Sequence, residues 1–135
     1  MVCFLSNAYG RVLSIAKLLI AVKSEIISAA LADILTLYEV SICHNGRDAL
    51  LLLETMQPDV FIVELSLPVV TGLTVLQQTC YRPPIMLALT DLVTEHTLQA
   101  ADHAGVQDMI LLPCPIRHIA RHLETMIQKV STPEI

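Results

Sequence analysis

From Lys17 onward, short apolar runs alternate with stretches whose apolar residues recur every three or four positions. The first kind suits strands, the second the buried face of helices. The sharpest run is Val60-Phe61-Ile62-Val63, introduced by Pro58-Asp59 and followed by Glu64-Leu65-Ser66-Leu67-Pro68. Four apolar residues without alternation indicate a strand covered on both faces. Glu64 stands where that run leaves the core, and open α/β sheets carry their ligand sites at the carboxyl ends of parallel strands. Any chemical centre is therefore expected around Glu64.

The same pattern orders the rest of the chain. Leu18–Val22 reads as a first strand, and Ser24 as the N-cap of a helix presenting Ile27, Ala30, Leu31 and Ile34 on one face. Tyr38–Cys43 alternates apolar and polar residues, the mark of a half-exposed strand. Asn45, with Asp48 three residues on, caps a helix over Arg47–Met56, whose Leu50–Leu53 cannot all be buried by one sheet face. The Glu64 strand is followed by a helix to about Cys80 and a stop at Tyr81-Arg82-Pro83-Pro84. Ile85–Leu89 is a fourth strand, Thr90-Asp91 caps a helix closed by Gly105, and Val106–Leu111 is a fifth strand. Pro115 opens a last helix with Ile116, Ile119, Leu123, Ile127 and Val130 on one face. Five strand–helix alternations with short connections predict a doubly wound α/β domain: a five-stranded parallel sheet with helices on both faces. The domain is placed at residues 16–130, after an N-terminal extension over 1–15 and before a tail or linker start over 131–135.

Composition narrows the function. At 135 residues the chain fits one domain, and its mean hydropathy of +0.64 with 16% charged residues predicts surface covered by a partner or a second subunit. A net charge of −5 without a Lys/Arg cluster argues against direct nucleic-acid binding. Cys3, Cys43, Cys80 and Cys114 show no metal or redox spacing and read as free thiols of a cytoplasmic protein. Val12–Val22, interrupted by Lys17, is too short to span a bilayer, and the first residues do not form a signal peptide.

Asn45-Gly46-Arg47-Asp48-Ala49-Leu50, Pro58-Asp59-Val60, Leu67-Pro68 with Thr71-Gly72-Leu73, Pro84-Ile85-Met86-Leu87, Ala104-Gly105-Val106-Gln107-Asp108 and Leu112-Pro113 follow one another in a characteristic order. Together, over residues 17–130, they resemble the receiver domain of two-component response regulators. The resemblance implies strand order 2-1-3-4-5, a cis bond at Leu112-Pro113, and no enzymatic role. It also implies a chemistry that the residues lack. Glu64 matches the family's phosphoacceptor aspartate, Val22 and Lys23 its Mg²⁺-binding acidic pair, Ala88 its Ser/Thr, Met109 its aromatic switch, and Leu112 its lysine. An isopropyl group and an ammonium remove both charge and ligands from a hard dication's site. Charge developing on a phosphoryl group would go unstabilised without metal and lysine. No catalytic residue, metal or cofactor is assigned.

Glu64 is expected instead to meet Lys23, whose ammonium would stand in for the cation. His118 and His122 have the i, i+4 spacing of helical metal ligands, but helical phase turns them from the apolar face. His96 and His103 likewise fall opposite Leu98 and Ala101, so these four of the five histidines are expected on an outer, interface-forming surface. The leading reading is a phosphorylation-independent pseudo-receiver acting in signalling or transcriptional regulation through protein contacts. The resemblance places self-association on the fourth helix, fifth strand and last helix. The alternative is a small-molecule sensor using the vacated pocket beside Val22, Ala88 and Leu112.

Overall fold

The computed structural model describes residues 16–131; the expected extension over 1–15 and residues 132–135 lie outside it. Strand β1 (Lys17–Ala21) leads into α1 (Glu25–Ile34), β2 (Glu39–Cys43) into α2 (Gly46–Met56), and β3 (Val60–Glu64) into α3 (Gly72–Gln78). Then follow β4 (Ile85–Thr90), α4 (Glu95–His103), β5 (Asp108–Leu111) and α5 (Ile116–Ser131). All pairings are parallel, in the order β2-β1-β3-β4-β5. This is the expected doubly wound sheet.

Alternate strand residues feed two cores. Leu18, Ile20, Val60, Ile62, Leu87 and Ile110 pack with Leu31 and Leu35 of the α1 side and Ile119, Leu123 and Ile127 of α5. Leu19, Ala21, Phe61, Val63, Met86 and Ala88 pack with Ala49 and Leu53 of α2, Val75 and Leu76 of α3, and Ala104 after α4. Every residue of β3 and β4 is buried, which accounts for their unbroken apolar sequences. Asp59 fixes the entry to β3: its carboxylate accepts from the Lys17 backbone N–H at 2.9 Å, and its own N–H donates to Lys17 O.

Helix caps decide several boundaries. Ser24 and Asn45 accept from Ile27 N and Asp48 N, as expected. The start of α4 differs from expectation, because Thr94 and Thr97 form a reciprocal capping box. Thr90 stays in β4, its hydroxyl bonded to the Leu92 backbone. Gly105 follows the end of α4 with φ +89°. In α1 the buried face runs through Ser28, Leu31 and the following Leu35, while Ile34 is 44% exposed, contrary to its expected core role. Among the four leucines of α2, Leu53 is buried and Leu51 is 63% exposed.

Two glycines allow the loop after β3 to close onto the sheet. A Cβ on Gly46 would stand 1.8 Å from Val70 O, and one on Gly72 2.1 Å from Glu64 O. Gly46 N–H donates to Pro68 O at 3.1 Å and Gly72 N–H to Leu65 O at 3.0 Å, so the close approach is hydrogen-bonded. Gly72→Ala must therefore push the β3 end and α3 apart. A loss of about 1–3 kcal/mol is expected, read in thermal denaturation as a Tm lowered by roughly 3–12 °C. An unchanged Tm would show that this approach is not tight.

Candidate functional site: the carboxyl ends of β1, β3 and β4

Parallel pairing brings the carboxyl ends of the central strands together. Ala21 stands opposite Val63, Val63 opposite Ala88, Glu64 opposite Leu89, and Ala88 opposite Met109. The chain leaves β1 through Val22 and Lys23 and leaves β3 through Leu65 and Ser66. Glu64 is therefore delivered to the carboxyl edge by an entirely buried strand, and it is itself only 4% exposed.

Its carboxylate is held from both sides. Oε1 accepts the Lys23 backbone N–H at 3.0 Å. Oε2 lies 3.7 Å from the Lys23 ammonium and accepts the Ser66 hydroxyl at 3.4 Å. Lys23 Nζ in turn donates to Ser66 Oγ at 3.3 Å. The Lys23 side chain keeps 49% of its surface while that of Glu64 keeps 6%, so the stem reaches inward and the ammonium stays partly wet. The expected Lys23–Glu64 contact is thus present, and Ser66, which the sequence reading passed over, completes it. Its signal was its place two residues beyond Glu64, where a strand's alternation returns a side chain to the same side.

The remaining site positions are apolar and filled. Val22 and Ala88 have no exposed surface, and Leu112 and Met109 are half-buried. Leu112 N–H donates to Thr90 O at 2.7 Å, and the Leu112–Pro113 bond is cis, as the resemblance implied. His44 Nδ1 lies 3.0 Å from Val22 O, bracing the β1 exit from the β2 side. Nearby Cys43 is no nucleophile. Burial, then the charge of Asp48, pushes its thiol up to about 11, so the protonated form holds at neutral pH.

A dication does not fit this set. Glu64 is the sole carboxylate among Val22, Lys23, Glu64, Ala88 and Leu112, and a cation already stands beside it. Among the described residues, no three His, Cys, Asp or Glu side chains are grouped to hold a metal ion. The i, i+4 pair His118 and His122 is likewise divided. His118 is exposed, whereas His122 is drawn to β5, with Nε2 2.6 Å from Asp108 Oδ2. That contact lies at the surface, where the His122 side chain keeps 32% of its area and that of Asp108 47%. His96 and His103 are exposed on α4, but Leu98, expected on its buried face, is 48% exposed. No helix among the described residues is long and apolar enough to cross a membrane.

Comparison with known proteins bears on the fold. The sequence profile of the response regulator receiver domain matches residues 19–124. The transcriptional regulatory protein TrcR of Mycobacterium tuberculosis is 24% identical over 98 residues; the match covers 70% of this chain but only 37% of that relative. Among solved structures, a CheY-like receiver domain of Methanospirillum hungatei superposes with a TM-score of 0.78 at 19% identity, covering 86% of this chain and 96% of that one. Chemotaxis protein CheY4 of Vibrio cholerae gives 0.72 at 24% identity, covering 83% and 98%. With its sheet order, its cis Leu112–Pro113 bond and a profile match over most of its length, the chain belongs to the response regulator receiver domain family, a non-enzymatic signalling module of two-component systems.

Proposed function

We propose that this receiver domain works without phosphorylation, as a protein-interaction module in signalling or transcriptional regulation. The observation that carries the reading is the Glu64 carboxylate, closed by Lys23 and Ser66. In the family's pattern Glu64 takes the phosphoacceptor place, and Lys23 brings a cation where the family has an acid. Val22, Ala88 and Leu112 supply no oxygen or ammonium to an incoming phosphoryl group, and the one ammonium at the site, that of Lys23, is already engaged with Glu64 itself. Met109 replaces an aromatic side chain on β5, so the device that would report phosphorylation is also absent. The distant relation to a transcriptional regulator supports the regulatory setting, and the four free-thiol candidates a cytoplasmic one. A small-molecule sensor is the weaker reading: Val22 and Ala88 are fully buried, so a ligand reaching them would have to displace core side chains.

The surface supports association. Leu92, Val93 and Leu98 are 63%, 42% and 48% exposed at the start of α4, and Leu111 is 56% exposed on β5. Leu111 pairs with Thr90, whose hydroxyl binds the Leu92 backbone, so the end of β5 lies beside the segment that enters α4. Exposed His96 and His103 lie on the same helix, α4, and the Asp108–His122 pair links β5 to α5. A second copy of the chain is the proposed partner, and burying this apolar group would drive pairing.

Incubation with acetyl phosphate and Mg²⁺ should leave the intact mass unchanged. A stoichiometric, Mg²⁺-dependent phosphoryl adduct on Glu64 would overturn the proposal. For association, light scattering at micromolar concentration should report a dimer that reverts to monomer in Leu98→Lys and Leu111→Lys. A wild-type monomer, or a dimer indifferent to both changes, removes this face as the contact.

A further inference from the structure

At the start of α5 the chain sets cations where electrostatics disfavours them. Arg117 and Arg121, with the imidazole of His118 beside them, lie in the first two turns of Ile116–Ser131. The N-terminal end of a helix carries positive partial charge and favours anions. No acidic residue occupies this first turn. Arg117 and Arg121 are in addition like-charged i, i+4 neighbours, an arrangement that weakens a helix. Among the described residues, the side chains of Arg117, Arg121 and His118 make no hydrogen bond or ion pair. In a chain with only eight Lys and Arg and a net charge of −5, this is not the sampling of a basic surface.

The three side chains also share a concavity. With Ile34, Pro115 and Ile116 they line a recess of about 460 Å³, within the roughly 300–1,000 Å³ range of small-molecule sites. Ile34 is the α1 residue whose periodicity assigns it to the core, and it is left 44% exposed in the recess wall instead. The recess thus joins unpaired cations to apolar surface, and it shares no residue with the Glu64 centre.

We propose that this recess binds a small organic phosphate. Guanidinium forks grip phosphate oxygens in pairs. Two arginines with a neighbouring imidazole match a dianionic phosphomonoester, whereas a single carboxylate would leave one arginine unmatched. The phosphate would relieve both the arginine repulsion and the misplaced charge at the helix end, while Ile34, Pro115 and Ile116 receive the apolar body of the ligand. A compact anion is the favoured occupant, because the chain's net negative charge repels an extended polyanion reaching beyond the recess.

The test is a ¹⁵N-resolved NMR titration of the whole chain with phenyl phosphate, against inorganic phosphate and benzyl alcohol. Saturating shifts confined to Ile34 and residues 116–121 are expected, with phenyl phosphate binding more tightly than either control. The Arg117→Ala/Arg121→Ala double variant, both positions being exposed, should keep its fold and lose affinity by on the order of tenfold or more. Non-saturating or dispersed shifts, or affinity unchanged in the double variant, would overturn the site. Equal binding of inorganic phosphate would mean an adventitious ion only. Tighter binding of a phosphoserine peptide would make the site a protein contact and end the small-molecule assignment.

Discussion

A carboxylate carried to the end of a fully buried strand must find a counter-charge close by, because few water molecules can reach it. In this domain the ammonium of Lys23 meets that need. The backbone N–H of the same residue donates to the other carboxylate oxygen, and Ser66 joins the ammonium to the acid. Three segments are tied by this contact: the exit of β1, the end of β3 and the loop toward α3. Gly46 and Gly72 allow the loop to lie close enough to close the arrangement. In the proposed reading, the cation that a receiver would import is built into the chain, and one conformation is held without a phosphoryl group.

The energetic weight of the pair follows from its exposure. A fully wet pair contributes about 0–1 kcal/mol, and breaking a fully buried one costs about 3–5 kcal/mol. With Lys23 half in solvent and Glu64 almost wholly buried, the pair falls toward the lower range. Glu64 keeps its backbone donor whether or not the ammonium is present. The pair therefore biases the site's conformation more than it holds up the sheet, whose two buried cores carry most of the stability.

The fold was legible because its signals were local and redundant. Unbroken apolar runs named β3 and β4, and Ser24, Asn45 and Gly105 marked helix ends by their own chemistry. Misplacements occurred where a long-range or competing contact prevailed. Thr90 resembles a cap in sequence, but it is the last residue of the buried strand β4, paired with Leu111, and Thr94 with Thr97 forms the stronger box. Ile34 has the helical phase of a core residue, yet Ser28 and Leu35 take the buried places around it. At the site, the Lys23–Glu64 contact could be expected from charge and strand adjacency. The Asp108–His122 contact could not, since nothing in the spacing of two residues on different elements reveals that they meet.

The central claim is that Lys23 supplies the charge compensation a metal ion would otherwise supply. Thermal denaturation of wild type and Lys23→Met, each with and without Mg²⁺, measures it directly. The account predicts a wild-type Tm indifferent to Mg²⁺ and a variant lowered by about 1 kcal/mol, or roughly 2–5 °C. A wild type stabilised by Mg²⁺, or a Lys23→Met variant melting with the wild type, would contradict it.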